Sequence, residues 1–238
     1  MNIINPYRFA GAAFDGFGNA SRDFDGTNDY VSLPSGAYQA FSSGDDFTVA
    51  CWCKPSVSIS ASSMMVGFVG NSVFTRPQIS LFCKSDGSMS VSVRQQANGN
   101  TNNVSTSSTD YRGGWHHVAL TYRGSDSRVE LFIDGSSVGT DTTHSLTFAT
   151  SDFDEGNIGA LGATGAAYDG WFDGLVADVR KYDAIIGDSD IDGLSNGTDY
   201  QTNLVGWWLD DDDDVLDNAG SNDGTNNGST YSTDGPAD

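Results

Sequence analysis

The sequence predicts an all-β protein built as a two-sheet antiparallel β-sandwich of the jelly-roll type. Residues 116–122 and 129–133 alternate apolar and polar side chains, with a turn cluster between them. Alternation with period two is typical of paired strands that face a core on one side. Asp134 and Gly135 then supply the positive φ angles of a tight hairpin turn. A third strand is therefore expected over residues 136–140, which makes this stretch a β-meander.

Short predicted strands fill most of the remaining chain, and almost no helical pattern interrupts them. They are expected at residues 30–33, 47–54, 64–69, 78–84, 88–94, 158–162 and 170–182. Many short strands between turn-forming clusters favour a sandwich or jelly roll. The 238 residues, of which 37% are hydrophobic, are sufficient for one such domain. We predict an N-terminal arm or edge strand over residues 1–21 and one jelly roll over residues 22–238.

One segment, residues 185–196, has the pattern of a short helix. Asp188 can cap its first turn, Ile191 and Leu194 lie on one face, and Gly197 ends it. An alternative interpretation is an EF-hand calcium loop, whose ligand spacing is matched by Asp188, Asp190, Asp192, Gly193 and Asp199. That loop would lack its final bidentate Glu and its flanking helices, so the helix is the favoured prediction.

The charge of the chain excludes one class of partner. There are 32 acidic residues against 11 basic ones, a net charge of −21. Because binding to phosphates requires clustered Lys and Arg, we predict no nucleic-acid partner. An acidic, lysine-poor surface is compatible with saline surroundings, where salt screens its self-repulsion.

No membrane association and no secretion are expected. No apolar run approaches the length of about 20 residues that spans a bilayer. Residues 1–8 lack the basic start and the apolar stretch of a secretory signal. The sequence therefore predicts synthesis in the cytoplasm without export by that route.

The three cysteines are predicted to be buried free thiols. Cys51 and Cys53 are two residues apart on one predicted strand, so their side chains point the same way and are poorly placed to bridge each other. The alternative, a zinc or redox site, would need further Cys or His at ligand spacing, and the chain does not offer them around this pair or Cys83.

Four motifs in order resemble the laminin-G-like domains of the concanavalin A-like jelly-roll superfamily. They are residues 24–31 (FDGTNDYV), 47–55 (FTVACWCKP), 115–119 with 129–135 (WHHVA and VELFIDG), and 173–182 (DGLVADVRKY). The resemblance covers residues 22 to 200 and implies the sandwich fold. Its functional content is broad, because such domains serve as lectins, adhesins, enzyme appendages and structural parts.

The C-terminal residues carry a further resemblance to this superfamily. Residues 203–209 and 217–225 are similar to a segment that usually precedes the jelly roll, although here they follow it. We predict that this strand joins the sheet where the two ends of the sandwich neighbour each other. Residues 210–214 are five consecutive Asp, which form either a solvated loop or an attachment point for calcium or a basic partner.

The superfamily resemblance also implies a structural calcium ion held by Asp and Asn oxygens. The residues in the opening and closing motifs that could bind Ca²⁺ are Asp25, Asn28, Asp29, Asp173 and Asp178. In the alternative interpretation, the Asp-Gly pairs that begin with Asp25 and Asp173 only make turns, and Asp178 faces solvent.

A glycan site would need exposed aromatic side chains that stack on sugar rings, with polar groups beside them. The candidates are Trp171, Tyr168 and one member of the Trp207-Trp208 pair. Adjacent residues of a strand face opposite ways, so one tryptophan of the pair is expected in the core. Trp208 is predicted as the one that contacts a glycan or a partner.

Catalysis is not expected. Glucanases of the superfamily use paired carboxylates on one strand, whereas Glu130 and Glu155 stand alone in this sequence. The histidines His116, His117 and His144 are accompanied by no nucleophile motif. The sequence therefore predicts a protein that binds or assembles.

The N-terminal residues resemble the starts of tailed-phage virion proteins that carry laminin-G-like domains. The similar leader is Asn-Pro-Tyr-Arg-Phe, and Pro6, Tyr7, Arg8 and Phe9 would form a partner-docking arm. This resemblance implies a virion structural protein, in particular a capsid decoration (cement) protein or a tail-associated part. Its partners would be the major capsid protein or tail proteins, and a homo-oligomer, by analogy a trimer, is expected. The alternative is a carbohydrate-binding or adhesive module for host-surface glycans.

Overall fold

The computed structural model describes residues 20–70, 77–95, 99–107, 109–162, 170–209 and 215–236. In chain order the strands of this part are β1 (Ser21–Asp25), β2 (Tyr30–Leu33), β3 (Phe47–Pro55), β4 (Ser63–Val69), β5 (Gln78–Cys83), β6 (Met89–Arg94), β7 (Thr101–Ser105), β8 (His116–Arg123), β9 (Arg128–Ile133), β10 (Ser136–Asp141), β11 (Glu155–Ile158), β12 (Asp173–Tyr182), β13 (Leu204–Trp208), β14 (Thr225–Asn227) and β15 (Thr230–Ser232). Two short α-helices, α1 (Ser35–Tyr38) and α2 (Asp188–Ser195), and a 3-10 turn at Thr150–Asp152 complete the described elements.

The strands form two antiparallel sheets that pack face to face. Sheet A has the order β10-β9-β8-β3-β12-β1-β15, and β13 also pairs with β12. Sheet B has the order β14-β2-β11-β4-β5-β6-β7. The two-sheet antiparallel sandwich predicted from the sequence is confirmed.

The predicted β-meander is present as β8, β9 and β10. Asp134 and Gly135 adopt φ angles of 48° and 77° in the turn, and Ser136 pairs with Ile133. Both residues of a type I′ turn need positive φ, which explains the choice of Asp-Gly at this position. The turn brings the Asp134 side chain to the end of sheet A where β8 begins.

Strict alternation along β3 separates a core face from an outer face. Val49, Cys51 and Cys53 are completely buried in the core between the sheets. Trp52 and Lys54 therefore point to the outer face of sheet A, away from sheet B. This alternation puts Trp52 and Lys54 on the face of sheet A that carries the candidate functional site.

The three cysteines are free and buried, as predicted. Burial raises the pKa of the Cys51 and Cys53 thiols far above their usual value, and it raises the pKa of Cys83 to about 11. The thiols are therefore protonated at neutral pH and act as small core side chains.

Helix α2 covers part of the outer face of sheet A. Ile191 and Leu194 pack with Ala50, Ala119 and Phe132 in a second apolar cluster, which also includes Tyr182 and Ile186. The predicted cap at Asp188 is wrong: the helix begins one residue earlier than that cap would require, with Gly187 at the cap position and no side-chain cap. Gly197, with a φ of 77°, follows its C-terminal end as predicted.

The alternative EF-hand interpretation of this segment is wrong. Asp188, Asp190 and Asp192 lie on α2, so they do not form a ligand loop. The fourth acidic position, Asp199, forms an ion pair with Arg180 at 2.7 Å. Packing of Ile191 and Leu194 on sheet A stabilises the helix instead.

The long strand β12 is bordered on one side by two short strands that lie end to end. β1 pairs with its first half and β13 with its second half. Between them, Asp178 has a φ of 48°, and its N–H donates to the Leu209 carbonyl at 2.7 Å. The register against β3 shifts between Ala177 and Arg180, which marks a β-bulge. The C-terminal strand thus joins the sheet beside the N-terminal one.

In the described part of the chain, neither α-helix has the length or the apolar character needed to cross a lipid bilayer.

Candidate functional site

The structure brings three of the predicted calcium residues together at one end of sheet A. Asp25 and Asp173 are opposite each other in the β1–β12 pair. Asp29 accepts a hydrogen bond from the Asp25 N–H at 3.2 Å. Asp23 adds a fourth carboxylate: burial raises its pKa, and the charges of Asp173, Asp29 and Asp25 raise it further. We refer to Asp23, Asp25, Asp29 and Asp173 as the acidic quartet.

Local hydrogen bonds account for several oxygens of the acidic quartet. Asp25 Oδ1 accepts from the N–H groups of Thr27 (2.8 Å) and Asn28 (3.4 Å), as in a turn. Ser58 Oγ donates to Asp173 Oδ2 at 2.7 Å. Within the residues that the structure describes, no group of three His, Cys, Asp or Glu side chains is arranged to hold a metal ion. Calcium binding at Asp25, Asn28, Asp29 and Asp173 stays a prediction.

Asp178 does not lie with the acidic quartet, because it is five residues, or about 16 Å, further along β12 than Asp173. Its carboxylate accepts from Arg180 Nε and from Trp207 Nε1, both at 2.7 Å. The Arg180 guanidinium is almost fully buried and lies 4.5 Å above the Trp207 ring. Asp178 is therefore part of a buried ion-pair network at the bulge.

The prediction that Trp208 contacts a glycan is wrong. Its side chain is completely buried in the main core, and its Nε1 donates to the Asn222 carbonyl at 2.8 Å. Trp207 faces the other way, as strand alternation requires, but it is only 9% exposed because Arg180 covers it. The sequence signal was sufficient to place one tryptophan in the core and could not show that an arginine covers the other.

Trp171, a second predicted glycan residue, lies beside an aromatic partner on the sheet B side of the sandwich. Its ring centroid is 5.9 Å from that of Tyr30, with the planes tilted by 46°. Both side chains are partly exposed. The predicted glycan residue Tyr168, the predicted docking arm (Pro6, Tyr7, Arg8 and Phe9) and residues 210–214 lie outside the described residues.

A separate cleft opens on the outer face of sheet A, at the end where β3 finishes. It has a volume of about 600 Å³. It is lined by Trp52, Lys54, Gly113, Gly114, Trp115, Asp134, Ser195, Asn196 and Pro236. We call it the tryptophan cleft, because two indole rings and a ring of polar side chains define it.

The register between β3 and β8 determines the positions of the two tryptophans of the cleft. Trp52 lies opposite His117, and Cys53 lies opposite His116. Trp115 comes directly before His116 and therefore lies next to Lys54 on the outer face. Trp52 is 8% exposed and Trp115 is partly exposed. Both side chains line the cleft, and Trp115 is the more exposed of the two.

The C-terminal segment closes one wall of the tryptophan cleft through Asp234. Its carboxylate accepts from Trp115 Nε1 at 2.8 Å and pairs with Lys54 Nζ at 2.6 Å. The hydrogen bond from Lys54, assisted by the one from Trp115, lowers the pKa of Asp234. Pro236 follows on this fixed segment and lines the cleft.

Asp134 supplies an ionised acceptor on the opposite wall. Its oxygens accept from His116 Nδ1 at 2.8 Å and from the His117 N–H at 2.9 Å. Burial alone would raise the pKa of Asp134, but these two hydrogen bonds outweigh it and the pKa is lowered. Ser195 and Asn196, at the end of α2, contribute hydroxyl and amide groups beside it.

His117 lies beside Trp52 on the neighbouring strand as a neutral side chain. Its ring is 5.5 Å from that of Trp52 in an edge-on arrangement, and its Nδ1 has no hydrogen-bond partner. Burial lowers the pKa of His117 to about 4, because it outweighs the charge of Asp178, which raises it, and the charge of Arg180 adds to the lowering. The ring therefore stays uncharged at neutral pH and packs against Trp52 from the neighbouring strand.

Sequence reasoning missed the tryptophan cleft. The available signal was the alternation in residues 51–54, which puts Trp52 and Lys54 on the face opposite the cysteines. No local pattern shows that Asp234 and Asn196, which are 180 and 142 positions along the chain from Lys54, would meet at the same place.

The two antiparallel sheets define a jelly-roll sandwich. Residues 25–192 match the laminin G family described as the concanavalin A-like lectin/glucanases superfamily. The match covers more than half of the chain, so the protein belongs to this family, and the resemblance read from the four motifs is confirmed.

Solved structures with the same fold come from several organisms. The CBM40 module of the Ruminococcus gnavus IT-sialidase, solved with bound α2,3-sialyllactose, has a TM-score of 0.60 and 14% identity, over 74% of this chain and 97% of that one. The heptameric SAP-like pentraxin of Limulus polyphemus has a TM-score of 0.56 and 17% identity, over 81% and 92%. The NanB sialidase of Streptococcus pneumoniae has a TM-score of 0.59 and 15% identity, over 73% and 27%. At these identities the likeness concerns the fold. No curated protein matches the sequence.

Proposed function

We propose that this protein is a carbohydrate-binding module of the lectin type and that the tryptophan cleft is its binding site. The observation that carries the proposal is the combination in one open cleft of Trp52 and Trp115 with the polar side chains of Asp134 and Asn196. Sugar rings stack on indole faces, while their hydroxyl groups need hydrogen-bond acceptors and donors around the ring. The proposal assigns no catalytic step to these residues.

The fold supports the same class. Among the similar structures is a carbohydrate-binding module with a bound sialylated sugar. Because a fold hosts many functions, this likeness supports binding of a glycan as a class and does not identify the sugar.

Two aromatic sites on different faces of the sandwich must be separated by experiment. Trp115 belongs to the tryptophan cleft, whereas Trp171 packs against Tyr30. We expect Trp115→Ala to weaken binding to the glycan selected from an array by roughly tenfold, because one lost stacking contact is worth about 1.5 kcal/mol. The matched variant Trp171→Ala should leave the affinity within about twofold. Isothermal titration of both variants measures the difference.

Trp115 also donates to Asp234, so Trp115→Phe serves as a control for the structural contact. It retains an aromatic face but loses the N–H group. Retained affinity in Trp115→Phe together with loss in Trp115→Ala identifies stacking as the cause. Loss of binding in Trp171→Ala alone would move the site to the Tyr30 pair and contradict the assignment of the cleft.

The predicted role as a capsid decoration protein stays a prediction, as does the trimer. The leader resemblance that suggests the virion role lies in residues 5–9, outside the described residues. A glycan-binding module on a virion surface would satisfy both predictions. Mass spectrometry of purified phage particles tests the virion role: hundreds of copies per particle would support it, and absence of the chain would contradict it.

A further inference from the structure

The two charged side chains that line the tryptophan cleft differ in their exposure to solvent. Asp134 has 47% of its side chain exposed and Lys54 has 30%. Lys54 is the one basic side chain among the described residues that line the cleft. A ligand carboxylate would therefore have to find its counter-charge at Lys54.

Lys54 is already paired inside the protein. Its Nζ is 2.6 Å from Asp234 Oδ2, and the other oxygen of Asp234 is held by Trp115 Nε1. Two hydrogen bonds fix this carboxylate in place, so a ligand anion would have to displace it or share the ammonium group with it. The charge that an acidic sugar needs is thus neutralised in the free protein.

Further acidic side chains lie on the same face, beyond the cleft. Lys54 is opposite Leu175, and Leu175 is opposite Asp23, so Asp23 lies two strand spacings, about 10 Å, from the line of β3. Asp25 and Asp173 occupy the next row of the same two strands. At about one Debye length, these carboxylates contribute a repulsive field that is only partly screened.

We infer that the tryptophan cleft selects uncharged or amine-bearing sugars and discriminates against sialic and uronic acids. This inference rests on the proposed function and adds the chemical class of the ligand. Asp134 is the specificity residue that repels a carboxylate and accepts hydrogen bonds from hydroxyl or ammonium groups. Asp234 is the residue that withholds Lys54 from anionic ligands.

Matched sugars that differ in one group provide the test. Isothermal titration would compare lactose with 3′-sialyllactose, and the methyl glycosides of glucose, glucuronic acid and glucosamine with one another and with their galacto counterparts. In the series that binds best, we expect the acidic member to bind at least tenfold more weakly than the neutral one. We also expect this ratio to shrink in 0.5 M NaCl, because salt screens the repulsion.

Two variants test the residues named. Asp134→Asn should reduce the discrimination against acidic sugars several-fold, and Asp234→Asn should increase the affinity for the acidic member because Lys54 becomes available. The control Asp45→Asn makes the same change in net charge at an exposed site near the start of β3, at the opposite end from the cleft, and should leave the ratio unchanged.

The outcomes separate the two proposals. Wild-type protein that binds no sugar of any kind overturns the proposed function and this inference with it. Wild-type protein that binds sialyllactose as tightly as lactose, or tighter, overturns this inference alone. If Asp45→Asn changed the ratio as much as Asp134→Asn, net charge would set the preference and the assignment to the cleft would be wrong.

Discussion

At the scale of single residues, buried ionisable groups contribute to the stability of the outer face of sheet A. Arg180 is buried with Asp178 and Asp199 as partners, at 2.7 Å each. His117, by contrast, is buried beside Trp52, and its Nδ1 has no hydrogen-bond partner. Burial lowers the pKa of this imidazole more than the charge of Asp178 raises it, so the neutral form is favoured. This preference links the stability of the fold to pH.

His117 is expected to make the protein less stable in mild acid. Its folded-state pKa of about 4 lies below the ordinary value of 6.5, so its contribution is fully present above about pH 6.5. It is lost as the pH falls towards 4, by up to about 3 kcal/mol from 1.36 kcal/mol per pKa unit. Urea unfolding at pH 7.5, 6 and 5 measures this loss. The His117→Gln variant should be less stable at pH 7.5, and its free energy of unfolding should fall less between pH 7.5 and 5. An equal fall in the variant and the wild type would contradict the assignment of the acid effect to His117.

At the scale of elements, the β9–β10 turn connects the hairpin to the tryptophan cleft. The turn positions Asp134, and it packs against the end of α2, since a Cβ atom at Gly135 would lie 2.6 Å from Ser195 Oγ and 2.8 Å from the Asp192 Cα. The same turn is the feature that the sequence predicts best, because Asp-Gly between alternating strands is a local signal. Its contact with α2 has no local signal and follows only from the packing of Ile191 and Leu194 on sheet A.

Gly135→Ala should therefore affect stability and binding together. The φ of 77° and the close contacts with α2 predict a loss of at least about 1–2 kcal/mol in the free energy of unfolding. Displacement of Ser195 and Asn196 should also weaken glycan binding. Gly44→Ala, in an exposed loop where the nearest atom to a Cβ would be 3.9 Å away, is the matched control and should be tolerated. Thermal unfolding and titration of both variants test the difference, and equal effects would contradict it.

At the scale of the whole molecule, the net charge of −21 acts on stability through self-repulsion. The acidic quartet concentrates four carboxylates where β1 meets β12. Salt relieves such repulsion in general, whereas a calcium ion would relieve it at one place. The two effects can be separated at equal ionic strength.

We expect calcium to stabilise the protein beyond the effect of sodium. At a free Ca²⁺ concentration about ten times its Kd, binding to the folded state adds about 1.4 kcal/mol. Thermal unfolding in CaCl₂ and in NaCl of matched ionic strength measures this, with Asp173→Asn as the variant that should abolish the difference and Asp45→Asn as the one that should keep it. Identical melting temperatures in the two salts would contradict the calcium prediction.

How much of the molecule the sequence reveals depends on the range of the contacts. The sandwich, the meander and the buried thiols of Cys51 and Cys53 follow from alternation within single strands, and all are confirmed. The sequence could assign Asp25, Asp29 and Asp173 to one candidate calcium site because they belong to the opening and closing motifs of the family. Trp208 could not be placed, because the choice between two adjacent tryptophans depends on Arg180. The tryptophan cleft joins five separate segments of the chain, and no pattern within any one of them indicates it.

The most direct test of glycan binding in the tryptophan cleft is a nuclear magnetic resonance titration that follows the indole N–H signals. The five tryptophans of the sequence give five such signals, which single Trp→Phe variants assign. On addition of the glycan selected from an array, we expect the signals of Trp52 and Trp115 to shift while those of Trp171 and Trp208 do not. A shift confined to Trp171 would contradict it and place the sugar on the opposite face of the sandwich.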